Sequence, residues 1–474
     1  MTQLPSQPDR TRIERALSAA RNESVWHRDL DARLTHHEPL SQSIACDLAI
    51  VGAGLTGLWT AILAREQHPD LSICLIDAHD VGYGASSRNG GFISESLTHG
   101  LSHGLAMWPD ELPLLLELGR LNFREIQEFL AAEGADVELQ PIGKTAVATR
   151  PHEVESLRQT HELHLAWGED STFLDADQVR ADINSPTYLA GMRLRTGSGL
   201  VNPAKLLNAL CRAALSRGVT IYTQTPVASL RESAEHVELV TPSGSVSAKR
   251  VVLATNAFTP LKSSIRHRVM PIFDHVLATR CLTDAELASL GWAEGQGVTD
   301  SGNQFHYYRK TSDNRILWGG YDANYYFGND TSPAREQRRS SHELLAAQFF
   351  ETFPTLADVT FDYAWAGLID STSRFTPFYE VSRGGRVGTA VGFTGLGVGS
   401  SRFAAKIILD LLWRRQTTLT ALEMVRRRPI PVPPEPLRFP IIAFTRWMLT
   451  REDRSGRRGL YLKLLDRFGV GFNS

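Results

Sequence analysis

The sequence predicts an α/β chain in which a parallel-sheet unit is interrupted by a mixed-sheet block. Three observations predict it. A G-x-G-x-x-G turn at 52–57 lies between two apolar runs, the second ending in an acid. A later glycine-rich turn at 392–399 opens another helical stretch. Between them, 266–364 alternates apolar and polar residues with the period of a sheet.

The first turn is read from its parts. Leu48–Val51 is a short apolar run, the mark of a buried parallel strand. Gly52 permits the tight turn, Gly54 has no Cβ to keep a pyrophosphate from the backbone, and Gly57 lets the following helix approach the strand. The helix from Leu55 to His68 offers unpaired N–H donors and a partial positive charge to phosphates, with Ala53 and Thr56 in the same turn. A second strand, Leu71–Ile76, ends in Asp77 and Ala78, and Asp77 is placed to accept hydrogen bonds from ribose hydroxyls. Strand, glycine turn, helix, strand and acid thus follow in order within about thirty residues, as this kind of unit requires.

The chain has 474 residues, 42% hydrophobic and 22% charged, with a formal net charge of −2. This is globular composition, and the length suits two connected domains. The near-neutral balance gives no overall field for nucleic acid. Cys46, Cys74, Cys211 and Cys281 show no C-x-x-C pair and no metal spacing, so neither a disulfide framework nor a metal site is expected, and a reducing cytoplasm fits. No run reaches the roughly 18 apolar residues of a membrane span. The N-terminus reads as a polar lead followed by an amphipathic helix near 12–21.

After Asp77 comes Gly-Tyr-Gly-Ala-Ser-Ser-Arg-Asn-Gly-Gly, residues 82–91. Read alone, this run is either a ligand-facing loop or a plain surface loop. Its G-A-S-S-R-N-G-G core resembles the G-A-S-G-R-N-G-G stretch of flavin-dependent amine oxidoreductases in the D-amino-acid oxidase, glycine oxidase and sarcosine oxidase superfamily. The γ-glutamylputrescine oxidoreductase-like and aminophosphonate oxidoreductase-like members are the most similar. The resemblance covers about 45–415. It implies a Rossmann-type FAD-binding domain of the glutathione-reductase-like kind, an inserted mixed-sheet substrate domain and a C-terminal helical tail. By the same resemblance Ser86, Ser87, Arg88, Asn89, Gly90 and Gly91 lie at the flavin. Val227 after Thr225-Pro226 pairs with the adenine, and Ala254, Thr255 and Asn256 close the nucleotide site. Gly392, Thr394, Gly395, Gly397 and Val398 face the pyrimidine edge of the ring.

The implied domains are a lead and helix at 1–43 and FAD-binding parts at 44–110, 195–265 and 365–415. The substrate domain takes 111–194 and 266–364, and a basic amphipathic tail takes 416–474. In the substrate block the expected elements are helices at 111–133, 152–167 and 335–353, strands near Val137 and Thr145, and strands at 269–281, 304–310 and 315–321. The run 429–440 is proline-rich and expected to be extended. Two short helices follow it, with arginines around them. They lie on the body with arginines in solvent, or else dock on a membrane surface or partner.

The chemistry implied is transfer of hydride from a carbon next to an amine to the flavin, with hydrolysis of the imine product. Candidate catalytic residues are Asp274 and His275, His306 and Tyr308 on one parity of a strand, Tyr321, and Asp370. Asp322, Tyr325, Tyr326, Trp365 and Arg374 are further candidates for the substrate wall. By alignment with sarcosine oxidases, Ser371 falls where those enzymes carry a flavin-linked cysteine, so FAD is expected to be non-covalent. Trp318 falls near their oxygen-activating lysine, leaving Arg88 or Arg309 as the cation. Phe92 falls near their carboxylate-binding arginine, so an amine remote from any carboxylate is the natural substrate. Oxygen is the expected acceptor. Two alternatives stand beside it: an amino-acid or hydroxy-acid dehydrogenase serving a quinone or carrier, and a flavin-bound scaffold.

Overall fold

A computed structural model describes residues 7–258 and 261–470. Of the lead expected before residue 12, residues 1–6 lie outside them and residues 7–11 are already helical. The first helix is Gln7–Leu17 and stops before Arg21, whose backbone instead bonds Asp362 and Ala364.

The first sheet is parallel at its centre. Its strands run in the order Phe378–Val381, Val387–Val391, Gly244–Leu253, Ile44–Val51, Ile73–Ile76 and Thr220–Tyr222, the first antiparallel to its neighbour. Alternation along Ile44–Val51 explains its two covers. Leu48 and Ile50 pack against helices Leu55–Gln67, Pro203–Ser216 and Gly397–Leu412. Ala49 and Val51 face a cluster containing Val237 and Leu239 of an antiparallel extension. The helix Leu112–Ala132, expected in the substrate block, puts Leu115, Phe123 and Ile126 into the first of these cores. Its apolar stripe matches the helix layer rather than the second sheet.

The second sheet has the order Phe361–Ser371, Met270–Thr279, Ile316–Gly320, His306–Lys310, Gly297–Asp300, Lys144–Ala148, Ala190–Leu194 and Ser171–Leu174. Phe361–Ser371 pairs with Met270–Thr279 over its whole length, so a boundary at 364/365 cuts a strand that belongs entirely to this sheet. One face is covered by helix Arg339–Thr352, with Trp318, Tyr308, Phe349 and Phe353 in the core between them. The opposite face looks towards the first sheet. Val137 lies in no strand.

The helix Arg438–Ser455 begins inside the proline-rich run expected to be extended. Pro440 sits in its first turn, where a backbone N–H has no intrahelical acceptor to lose. Helix Leu460–Arg467 follows. Among the described residues no helix is long and apolar enough to cross a membrane.

Candidate active site

The carboxyl ends of the parallel strands and the free face of the second sheet enclose one cavity of about 920 Å³. Ligands of open α/β sheets bind at such strand ends. Helices Leu55–Gln67 and Gly397–Leu412 both begin at this cavity, the first capped by Gly54 and the second by Leu396. The two glycine turns, 340 residues apart in sequence, therefore present their amides to one space.

The first wall fits a dinucleotide. A Cβ on Gly54 would stand 2.7 Å from Ser86 Oγ, in the gap where Ser86 accepts from Leu55 N at 3.0 Å. A Cβ on Gly57 would strike the Gly52 carbonyl, so this glycine serves helix–strand packing. Asp77 accepts from Ala53 N at 2.7 Å and His79 N at 2.9 Å and still lines the cavity. Each carboxylate oxygen keeps a lone pair for a hydroxyl. Burial raises its pKa, and these amides oppose the rise. Thr255 Oγ1 is buried at the cavity without a hydrogen-bond partner, a polar atom left for a ligand.

Of the residues expected at the cofactor, Gly52, Gly54, Thr56, Asp77, Ala78, Ser86, Arg88, Asn89, Gly90, Val227, Ala254, Thr255, Asn256, Thr394, Gly395, Gly397 and Val398 line the cavity. Ala53, Gly57, Ser87, Gly91 and Gly392 stand behind it. Ser87 Oγ donates to Gly82 O at 2.7 Å, and its own carbonyl accepts from Ser24 Oγ at 2.8 Å. Asn89 Oδ1 accepts from Gly91 N at 2.8 Å, while Asn89 O accepts from Trp26 Nε1 at 2.8 Å. Trp365 Nε1 donates to Arg88 O at 3.0 Å. The loop 82–91 is thus braced from outside by 24–27 and by Trp365. This is a positioning role for Trp365 that the sequence does not reveal.

Two of the six catalytic candidates reach the cavity. Asp274 lines it, and burial pushes its carboxyl up to about 6 although Tyr307 donates a hydrogen bond to it. Asp370 lines it as well, and burial lifts it to about 7 against the amides of Gly392 and Phe393, at 2.5 and 3.1 Å. Asp370 therefore holds the late glycine turn.

The other four lie on the covered face of the second sheet. His306 and Tyr308 do share a parity, but it is that of helix Arg339–Thr352. His306 bonds Asp300 at 2.5 Å and Gln348 at 3.0 Å, stacked between Trp318 and Tyr321. Tyr308 bonds Tyr188 in the core at 2.5 Å. His275 packs against His342, held neutral by a burial that lowers its pKa to about 3. Tyr325 bonds Glu435, Asp322 pairs with Arg446, and Arg374 donates to the Pro377 and Arg427 carbonyls; none of these three, nor Tyr326, lines the cavity.

The wall is instead built by the alternate parity, with Tyr307 in place of Tyr308, joined by Phe305, Thr299, Lys144 and His99. Lys144 is a cavity-lining cation whose pKa burial lowers. Arg309 is spent on the Gly91 and Val201 carbonyls, and Arg88 is paired with Glu336. His99 Nε2–H donates to Thr394 O at 2.7 Å, and burial lowers its pKa to about 4, so it is neutral at neutral pH. Sequence reasoning missed Lys144 and His99, which stand alone without a motif. None of the four cysteines lines the cavity, and the described residues contain no cluster that could hold a metal ion.

The chain matches the DAO family, "FAD dependent oxidoreductase", over residues 47–411. It is 30% identical over 410 residues to the probable oxidoreductase OrdL of Rhizobium meliloti, covering 83% of this chain and 88% of that one. It is 28% identical over 432 residues to the γ-glutamylputrescine oxidoreductase of Escherichia coli, covering 88% and 95%. The crystal structure of glycine oxidase from Geobacillus kaustophilus has the same fold, with a TM-score of 0.66 at 20% identity, covering 81% of this chain and 99% of that one. The paired glycine turns, the single cavity they share and this match over most of the length agree: the chain belongs to the DAO family and is an FAD-dependent oxidoreductase.

Proposed function

We propose that the chain oxidises a C–N bond of a small amine with oxygen as the final acceptor, binding the amine between Asp274 and the glycine turns. The observation that carries this reading is a half-buried carboxyl on the second-sheet wall of the cavity, hydrogen-bonded by a tyrosine that lies against the expected cofactor loop at Gly90. An ammonium group is the natural partner of such a carboxylate. That γ-glutamylputrescine oxidoreductase aligns over 88% of the chain supports an amine over a hydroxy acid.

FAD, when bound, supplies a hydride acceptor, so that the amine becomes an imine that water hydrolyses to a carbonyl compound and a free amine or ammonia. The chain's own residues do the rest. Ionised Asp274 draws in the ammonium, which gives one proton to solvent water so that the neutral amine's lone pair is free before its C–H bond yields hydride. Tyr307, by donating to Asp274, fixes which carboxylate oxygen faces the substrate. Phe92, Phe305 and Phe393 give the cavity an apolar lining that limits water around the reacting carbon. Lys144 puts a positive charge near His99 and the late turn, where negative charge on a reduced cofactor would be favoured. With no cysteine at the cavity, FAD is held without a thioether bond. We place the chain in a reducing cytoplasm, where Cys46 and Cys74, with sulfurs 3.3 Å apart on adjacent strands, stay as thiols.

The test is an anaerobic panel of polyamines, acylated polyamines, aminophosphonates and N-methyl amino acids, watched by bleaching of the visible flavin band. Oxygen is then admitted and peroxide measured. Bleaching by an amine with peroxide on reoxidation supports the reading. Bleaching by hydroxy acids alone, or by nothing, refutes it.

A further inference from the structure

Thirteen large hydrophobic side chains stand exposed among the described residues, and nine of them fall between 430 and 468. They are ordered. On helix Arg438–Ser455, Ile441, Phe444 and Trp447 recur at spacings of three and project from one side. On helix Leu460–Arg467 and the residue after it, Leu460, Leu464 and Phe468 recur at spacings of four. The two helices touch: the Phe444 ring meets Tyr461 at 5.0 Å, and Arg458 bridges Glu452 on one helix to Asp466 on the other. The result is one apolar surface formed by two helices held at fixed relative positions.

Its rim is basic. Residues 416–474 carry eleven Lys or Arg against five Asp or Glu, leaving the rest of the chain at −8. Arg451, Arg454, Arg457, Lys463 and Arg467 are exposed and make no ion pair among the described residues. Arg451 lies 6.0 Å from the Trp447 ring, at the junction of apolar stripe and charge.

We propose that these two helices dock the protein on an anionic lipid surface, Phe444, Trp447, Leu460 and Leu464 entering the headgroup boundary and the arginines meeting lipid phosphates. The proposal goes beyond the oxidation reaction and does not depend on it. An apolar face carrying aromatic and leucine side chains with a Lys/Arg border is the composition that lies in a membrane interface. The net negative charge of the rest of the chain is repelled by a negative surface and so favours approach by this face. A second copy is the poorer occupant. Two-fold pairing would set the same unpaired cations against one another.

The test is co-sedimentation of the full-length flavoprotein with vesicles of phosphatidylcholine, with and without phosphatidylglycerol. Wild type is expected to pellet with phosphatidylglycerol vesicles and to be released by salt. Phe444→Glu/Trp447→Glu and Arg451→Glu/Arg454→Glu/Arg457→Glu should each lower the bound fraction at least about tenfold with full flavin content, since every altered side chain is exposed. Wild type remaining in the supernatant overturns the proposal, as does equal pelleting of both variants. A dimer in sedimentation velocity that both variants dissolve, without vesicle binding, also overturns it and makes the face a self-association surface.

Discussion

Tyr307 donates its phenolic hydrogen to Asp274 Oδ2 at 2.5 Å by lying across Gly319 of the intervening strand. A Cβ on Gly319 would meet the Tyr307 ring at 2.6 Å. The missing side chain is what lets the hydroxyl span two strand positions. Tyr307→Phe should slow flavin reduction by the best amine roughly tenfold, the value of one charge-assisted hydrogen bond. Gly319→Ala should do the same by displacing the ring. Stopped-flow reduction checks both, and an unaffected Gly319→Ala rate would detach Tyr307 from the reaction.

A pH limb follows from Asp274. Burial raises its pKa to about 6, so the carboxyl is protonated below that value and ionised above it. Capture of an ammonium should therefore strengthen as pH rises through about 6, and kcat/KM should show that limb. Asp274→Asn should remove the limb and leave any rise from the amine's own deprotonation. For folding the sign is opposite. The native state holds a proton that the unfolded chain releases between about 4 and 6, so this group's contribution to stability declines across that window as pH rises.

Lys144 offers a test with a spectroscopic readout. Its charge favours negative charge on a reduced cofactor, so Lys144→Met should shift the flavin reduction potential to more negative values while FAD stays bound. Potentiometric titration measures this, and an unchanged potential would place the lysine's charge out of reach of the ring.

Tyr308 and His306 should behave as structural residues. Tyr308→Phe leaves the Tyr188 hydroxyl without its partner in the core, a loss of roughly 1–3 kcal/mol that thermal unfolding would register. Flavin reduction should keep its wild-type rate. A large rate loss at an unchanged Tm would return Tyr308 to the reaction.

Gly54→Val should give folded protein without flavin, because the branched side chain fills the space beside Ser86 that the pyrophosphate needs. The ratio of visible to ultraviolet absorbance measures it, and a yellow variant with full occupancy would refute the placement.

The nucleotide wall was legible because its signals are local. Spacing in 52–57 and the acid at 77 fix a strand, a turn and a helix start within one unit, and the second turn repeats the device. The substrate wall was legible only to a parity. Period-two alternation groups Tyr308 with His306 and Tyr307 with Arg309, but does not say which group meets the covering helix. That is decided by Arg339–Thr352, whose Phe349 lies against Trp318, and by Phe353 just past its end, which meets both Trp318 and Tyr308. Nothing in the sequence near Lys144 marks it, since its exposure to the cavity depends on Gly297–Asp300 pairing beside it. The braces from Ser24 and Trp26 join residues more than sixty positions apart and leave no periodic trace.

Asp453, near the end of the long C-terminal helix, accepts from Asn303 N at 2.9 Å, Asn303 Nδ2 at 2.7 Å and Gln304 N at 2.9 Å. The next residue is Phe305, on the cavity wall, and Tyr307 follows two positions later. Removal of the chain after Trp413 would thus take away more than two surface helices. It would hand those amides to water and slacken the strand that presents the tyrosine, so flavin reduction would slow in a chain whose nucleotide wall is intact.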